Sequence, residues 1–100
     1  MKLLEIFPIF VEIPPDRDKM EEGKIYISEE RKSSTHLCAC GCGEETYLPF
    51  PYVAVDNSNR GWNHSINGDN ITITPSIGNW SGQSPYHAHY YITNNKIVWC

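Results

Sequence analysis

The 100-residue sequence has no excess of positive charge. It carries 8 lysines and arginines against 12 aspartates and glutamates, which gives a net charge of −4. Nucleic-acid-binding surfaces normally cluster basic residues, whereas the basic pair Arg31-Lys32 directly follows Glu29 and Glu30. We therefore expect no nucleic-acid partner.

Long hydrophobic runs are also missing. The N-terminal stretch MKLLEIFPIFVEIPP is apolar, but Glu5, Pro8 and Glu12 interrupt it, and no small-residue cleavage site follows. It is too short and too interrupted to span a bilayer. The stretch predicts a first or edge strand that ends at Pro14-Pro15, in a cytoplasmic protein with no membrane partner.

The chain has no phosphate-binding glycine loop, no dinucleotide fingerprint and no βαβ pattern, which excludes the common cofactor folds. Repeats, low-complexity tracts and long linkers are absent as well. What remains is a series of short alternating segments, such as KIYIS at 24–28 and ITIT at 71–74. Turn residues separate them, with hairpin turns predicted within 67–70 and at Asn94-Asn95. The prediction is a single domain over residues 1–100, mostly β, built of short antiparallel strands and hairpins.

Three of the four cysteines fall in the stretch HLCACGCGEE. Cys38, Cys40 and Cys42 occupy alternate positions there, and Gly41 and Gly43 let the backbone fold tightly. Several thiolates converging on one ion are typical of zinc, which takes four sulfur or nitrogen ligands in structural sites. Cys100 or one of the four histidines would complete the set. We expect a structural zinc ion, because a domain this small has a modest hydrophobic core and gains stability from a cross-link through a metal. The alternative is that the cysteines are buried, reduced thiols in a glycine-rich turn.

Histidines and serines supply the candidates for acid–base and nucleophilic chemistry. In SPYHAHYY, strand alternation puts His87 and His89 on one face and Ala88 on the other. Ser76 in TPSIGNW is predicted on a bend after a strand, where reactive side chains are often presented, although a hydroxyl that satisfies a turn is the commoner explanation. His64, in the turn-rich GWNHSING, is predicted on the surface.

Three motifs follow one another between about Gly23 and the chain end: HLCACGCG at 36–43, PSIGNW at 75–80, and His89-Tyr90 with IVW at 97–99. Together they resemble a small bacterial family known as domain of unknown function 6527. Members of that family are encoded beside ubiquitin-activating, ubiquitin-conjugating and ubiquitin-like proteins in operons linked to antiphage defence. The resemblance implies a peptidase that processes or deconjugates a ubiquitin-like protein through a serine.

The chain departs from that family's pattern at two positions. The family usually has Pro-Cys-x-Ser-His-Tyr, whereas this chain has Tyr86 in place of the cysteine and Ala88 in place of the serine. The first change weakens any metal site that would use that cysteine. If the serine is the family's nucleophile, the second implies that this chain is an inactive Ser-to-Ala form, of the kind made to trap an uncleaved complex.

The residues that would carry catalysis stay open at this point. If residues 88 and 89 face opposite ways, His89 is badly placed as base for a serine at position 88, which favours His36 unless a bulge turns His89 round. A competing arrangement pairs Ser76 with His89. Two further hypotheses are a metallopeptidase built on the Cys/His cluster and a non-catalytic, zinc-stapled module that binds the ubiquitin-like protein.

Overall fold

The computed structural model describes residues 3–79 and 88–100, which form mainly β-strands. Four strands lie side by side in a first sheet: β1 (Phe7–Phe10), β2 (Lys24–Ser28), β3 (Ser33–Leu37) and β4 (Glu45–Pro49). Two short strands, β5 (Tyr52–Val53) and β6 (Asn59–Arg60), pair with each other. Four more lie side by side in a second sheet: β7 (Asn63–Asn67), β8 (Asn70–Asn79), β9 (Ala88–Thr93) and β10 (Lys96–Trp99).

The prediction of a mostly β chain is confirmed. Helix within the described residues is limited to one 3-10 turn, Arg17–Lys19. Strand β2 spans the segment KIYIS, and β9 and β10 form the predicted C-terminal hairpin. At its turn Asn94 and Asn95 have φ of 47° and 67°, the left-handed values that a type I′ turn requires. One strand pair departs from the antiparallel prediction, because β1 runs parallel to β2.

The N-terminal apolar stretch supplies β1, which lies at the edge of the first sheet, as predicted for an edge strand. The strand ends at Phe10, before Pro14-Pro15. Within residues 3–79 and 88–100, no helix has both the length and the apolar character needed to cross a membrane.

The two sheets pack face to face because each presents an apolar inner face. The core includes Ile25 and Ile27 of β2 and Leu48 of β4, together with residues of the second sheet: Ile71, Ile73, Ile77, Ala88, Tyr90 and Ile92. Strand β9 shows the predicted alternation, since every second residue from Ala88 is buried. His89 and Tyr91 therefore belong to the opposite, outer face of the second sheet.

Strand β8 continues past Thr74, so Ser76 lies within the strand, and the prediction that it follows the strand is wrong. Ile73 pairs with Ile92 and Ile77 pairs with Tyr90, which means that β8 carries more residues across this interval than β9 does. Such a mismatch is a β-bulge, which bends the strand and re-aims its side chains. Pro75 lies in the interval and has no N–H for the ladder, and a bulge lets the strand accommodate it without ending.

Candidate functional site

A serine and a histidine meet on the outer face of the second sheet. The Oγ atom of Ser76 lies 2.8 Å from Nε2 of His89, and both residues are partly buried. The bulge in β8 brings Ser76 to this position beside β9. Directly opposite His89 in the ladder lies Gly78, which has no side chain to cover that flank of the imidazole. The two side chains are therefore in contact, and each keeps some exposed surface.

This geometry suits a nucleophile and its general base. A base must lie within about 2.6–3.2 Å of the atom whose proton it takes. An unprotonated Nε2 can accept the hydroxyl proton of Ser76, which activates an otherwise weak nucleophile. Of the arrangements that the sequence left open, the structure brings together Ser76 and His89.

Ala88 lies on the other side of the second sheet. Its side chain is 4% exposed and belongs to the hydrophobic core. The next residue, His89, points outward, away from the side chain at position 88. Tyr86 and His87, at the start of the same motif, lie outside the described residues.

His36 is a core residue. Its side chain is fully buried, and Nε2 lies 2.7 Å from the hydroxyl of Tyr90. Burial, aided by the nearby His64, lowers the pKa of His36 to about 3, so the imidazole is neutral at pH 7. Its Nδ1 atom has no hydrogen-bond partner among the described residues. His36 thus lies on the same inner side as Ala88, whereas Ser76 contacts His89 on the outer side.

A second serine–histidine pair links the two sheets. The Oγ atom of Ser34, in β3, lies 2.7 Å from Nε2 of His64, in β7, and Nδ1 of His64 lies 2.8 Å from the backbone oxygen of Trp62. A carbonyl can only accept, so Nδ1 donates to it, and Nε2 of the neutral ring accepts from the hydroxyl of Ser34. Burial lowers the pKa of His64, partly offset by the bond to Trp62, and so favours this neutral form.

The surface position predicted for His64 is wrong. The imidazole is partly buried, and its ring centroid lies 4.7 Å from that of Phe50. The turn-rich composition around His64 pointed to the surface, but the residue lies within β7 and contacts the first sheet. No local sequence signal marks this pair, because Ser34 and His64 meet only through the packing of two sheets.

Three thiols gather where the chain leaves β3. The sulfur atoms of Cys38, Cys40 and Cys42 all lie within 4.8 Å of one another, and those of Cys38 and Cys40 are 3.3 Å apart. Gly41 and Gly43 adopt φ of 87° and 82°, which allows the tight turn. Burial raises the pKa of Cys40, but hydrogen bonds with Cys38 and Cys42 outweigh it, so the net pKa is lowered. Three sulfur ligands at this separation could hold a metal ion such as zinc.

Cys100 lies elsewhere. Among the described residues, the group of converging ligands contains only the three thiols named above. Cys100 is exposed, and its backbone N–H donates to the carbonyl of His89 over 3.0 Å, next to the end of β10. The structure thus separates Cys100 from the cysteines with which it was predicted to share a metal.

Comparison with known proteins gives one match. The model of a family described as bacterial ubiquitination-like system serine protease, BubE, matches residues 10–100. This range contains both serine–histidine pairs and the three converging cysteines. Searches of curated proteins and of solved structures found nothing similar. The resemblance to a small peptidase-like family of bacterial ubiquitination-like operons is confirmed.

Proposed function

Since the chain belongs to the BubE family, serine proteases of bacterial ubiquitination-like systems, we propose that Ser76 is its nucleophile and His89 its general base. The observation that carries this assignment is the 2.8 Å contact between Ser76 Oγ and His89 Nε2 at an accessible β-bulge. Bulges are over-represented next to active sites, where they re-aim a side chain.

The reaction has two steps, acylation of Ser76 and hydrolysis of the acyl-enzyme, and in each step His89 first takes up a proton and then gives it up. Nε2 of His89 takes the hydroxyl proton as Oγ of Ser76 attacks the scissile carbonyl carbon, and the imidazolium then gives that proton to the leaving amine. An acyl-enzyme ester on Ser76 remains. Water attacks this ester with His89 again as base, and the proton returns to Oγ as the carboxylic acid product leaves.

The substrate class follows from the family's setting. We propose that the chain cleaves after the C-terminus of a ubiquitin-like protein, either to process a precursor or to release a conjugate. The family description, a serine protease of bacterial ubiquitination-like systems, supports a substrate from such a system.

Ala88 is the competing position for the nucleophile. In that hypothesis the chain is an inactive Ser-to-Ala form, and a serine at position 88 would face inward, on the side of His36 and Tyr90. We favour Ser76 because it already contacts an imidazole and is partly exposed, whereas the side chain of Ala88 is buried in the core.

One experiment separates the two assignments. The unchanged chain, Ser76→Ala and Ala88→Ser are each incubated with a ubiquitin-like protein of such a system that carries a C-terminal reporter, and cleavage is followed on a gel. We expect the unchanged chain to cleave, Ser76→Ala to lose roughly 10⁶-fold in rate, and Ala88→Ser to gain nothing. Cleavage by Ala88→Ser alone would instead assign the nucleophile to position 88.

Two reagents test the remaining alternatives, a metallopeptidase and a non-catalytic binding module. A fluorophosphonate that modifies nucleophilic serines should stop cleavage and label Ser76, whereas a chelator should not stop it in folded protein. The reverse pattern would identify a metallopeptidase. Binding of the ubiquitin-like protein without cleavage by any of the three chains would identify a non-catalytic module.

We further propose that Cys38, Cys40 and Cys42 bind one structural zinc ion. Their sulfur chemistry and their mutual distances within 4.8 Å fit that ion. The zinc would tie the end of β3 to the following loop. Its fourth ligand would come from another sulfur or nitrogen atom of the chain, outside this group.

A further inference from the structure

The backbone of Ser76 has its own hydrogen-bond partner outside the sheet. A bulge interrupts the ladder, so the carbonyls within it need other donors. The indole Nε1–H of Trp62 donates to the backbone oxygen of Ser76 over 3.2 Å. This bond acts on the residue whose hydroxyl contacts His89, at the point where the regular pairing of β8 with β9 is broken.

Trp62 is itself fixed by the first sheet. Its backbone N–H donates to the carbonyl of Pro49, at the end of β4, over 2.9 Å. Its carbonyl accepts from Nδ1 of His64, which is held in turn by Ser34 of β3. Its ring packs against the hydrophobic core between the sheets. The indole is therefore a rigid anchor for the Ser76 backbone.

We propose that Trp62 is a positioning residue for the nucleophile. This inference rests on the proposed role of Ser76 as nucleophile. It adds that Trp62, which is not a ladder partner of Ser76, keeps Ser76 in place beside His89. The Oγ atom follows the backbone of Ser76, and a backbone at a bulge, where the regular pairing is interrupted, can shift. A displacement of about 1 Å at a reacting group can cost about 100-fold in rate.

The substitution Trp62→Phe isolates this role, because it removes the N–H donor and keeps an aromatic ring in the core. Trp99→Phe is the matched control. Trp99 also packs against the core and donates its indole N–H to a backbone carbonyl, that of Leu3, over 3.1 Å. The two variants thus lose the same kind of bond, but only one of these bonds acts on Ser76.

We expect Trp62→Phe to lower kcat by about 10- to 100-fold with KM little changed, as for a misplaced nucleophile. Trp99→Phe should keep the kcat of the unchanged chain. Thermal unfolding of both variants checks that they are folded at the assay temperature. A kcat for Trp62→Phe equal to that of Trp99→Phe would overturn the proposal.

A second readout does not depend on turnover. The ¹⁵N chemical shift of His89 Nε2 reports its hydrogen bond to Ser76, and Ser76→Ala gives the shift of the broken pair. Trp62→Phe should move the signal toward that of Ser76→Ala, and Trp99→Phe should leave it in place. An unmoved signal in Trp62→Phe refutes the positioning role, whether or not the chain cleaves its substrate. If only the assignment of Ser76 as nucleophile is wrong, the signal still moves while Ser76→Ala retains activity.

Discussion

The two serine–histidine pairs have nearly the same contact distance and different surroundings. Ser34 and His64 lie 2.7 Å apart, and Ser76 and His89 lie 2.8 Å apart. Ser34 has no exposed surface and lies in a regular strand, paired with Ile27 and Leu48 on its two sides. Ser76 is partly exposed and lies in a bulge.

The difference shows that a short contact between oxygen and nitrogen does not by itself make a nucleophile. A carbonyl carbon must also reach Oγ from the side opposite the base, and the inner face of β3 offers no such approach to Ser34. In the pair of Ser34 and His64, the second ring nitrogen donates to the carbonyl of Trp62, which fixes the ring, while the bond from Ser34 to Nε2 links the two sheets. We therefore propose that the pair of the fully buried Ser34 stabilises the fold and that the pair of the partly exposed Ser76 carries catalysis.

The largest expected effect comes from removing one residue from each serine–histidine pair and comparing the two variants. His89→Ala should lower kcat/KM by about 10⁴- to 10⁶-fold, since it removes the base from a unit that acts together. Ser34→Ala should lower kcat/KM far less than His89→Ala does, because Ser34 reaches Ser76 only indirectly, through His64 and Trp62. Instead, it should cost about 1–3 kcal/mol of unfolding free energy, because the acceptor Nε2 of His64 is left without its donor.

Cleavage kinetics and urea unfolding of the two variants provide the measurements. The comparison breaks if Ser34→Ala abolishes cleavage while the protein is still folded. It also breaks if His89→Ala remains active. A variant of the outward-facing Thr93, farther along β9, controls for any change made to that face of the strand.

The cysteine group gives an intermediate effect that also separates structure from chemistry. Cys38 follows β3, the strand that carries Ser34, so loss of zinc should weaken this side of the molecule. We expect metal analysis to find one zinc per chain, and Cys38→Ser or chelation to lower the unfolding temperature. Labelling of Ser76 by a fluorophosphonate should persist at temperatures where the chelated protein is still folded. Loss of labelling in folded, chelated protein would place the metal at the catalytic site.

Local patterns predicted the strands and turns well because they depend on neighbouring residues. The alternation of KIYIS and of β9, and the tolerance of asparagine for positive φ at Asn94-Asn95, needed no tertiary information. The bulge did not follow from such patterns. It depends on the register between β8 and β9, which a single strand does not encode.

Sequence patterns predict the individual candidate residues but not which of them contact one another. Ser76 and His89 are both among these candidates, and the separation of Ala88 from His89 follows from strand alternation alone. The pair of Ser34 with His64, and the bond from Trp62 to Ser76, arise where the two sheets meet. Contacts between residues so far apart in the chain are set by sheet packing, which short motifs do not report.

The smallest expected effect concerns the pH dependence of the buried pair. Burial holds the pKa of His64 below its ordinary value of 6.5. Below about pH 6.5 the imidazole of His64 is therefore protonated in the unfolded chain but still neutral in the folded chain. The unfolding free energy then falls as the pH falls toward the folded-state pKa. His36 adds to the same trend, with a folded-state pKa of about 3 that the nearby His64 helps to lower.

Replacing His64 by phenylalanine, beside Phe50, removes one titrating group and one cause of the lowered pKa of His36. We expect the drop in unfolding free energy between about pH 8 and about pH 5.5, measured in urea, to be smaller in His64→Phe than in the unchanged chain, whatever the variant's absolute stability. An equal drop in both chains would mean that His64 titrates normally in the folded state, and the assignment of this pair as a buried, neutral contact between the sheets would be wrong.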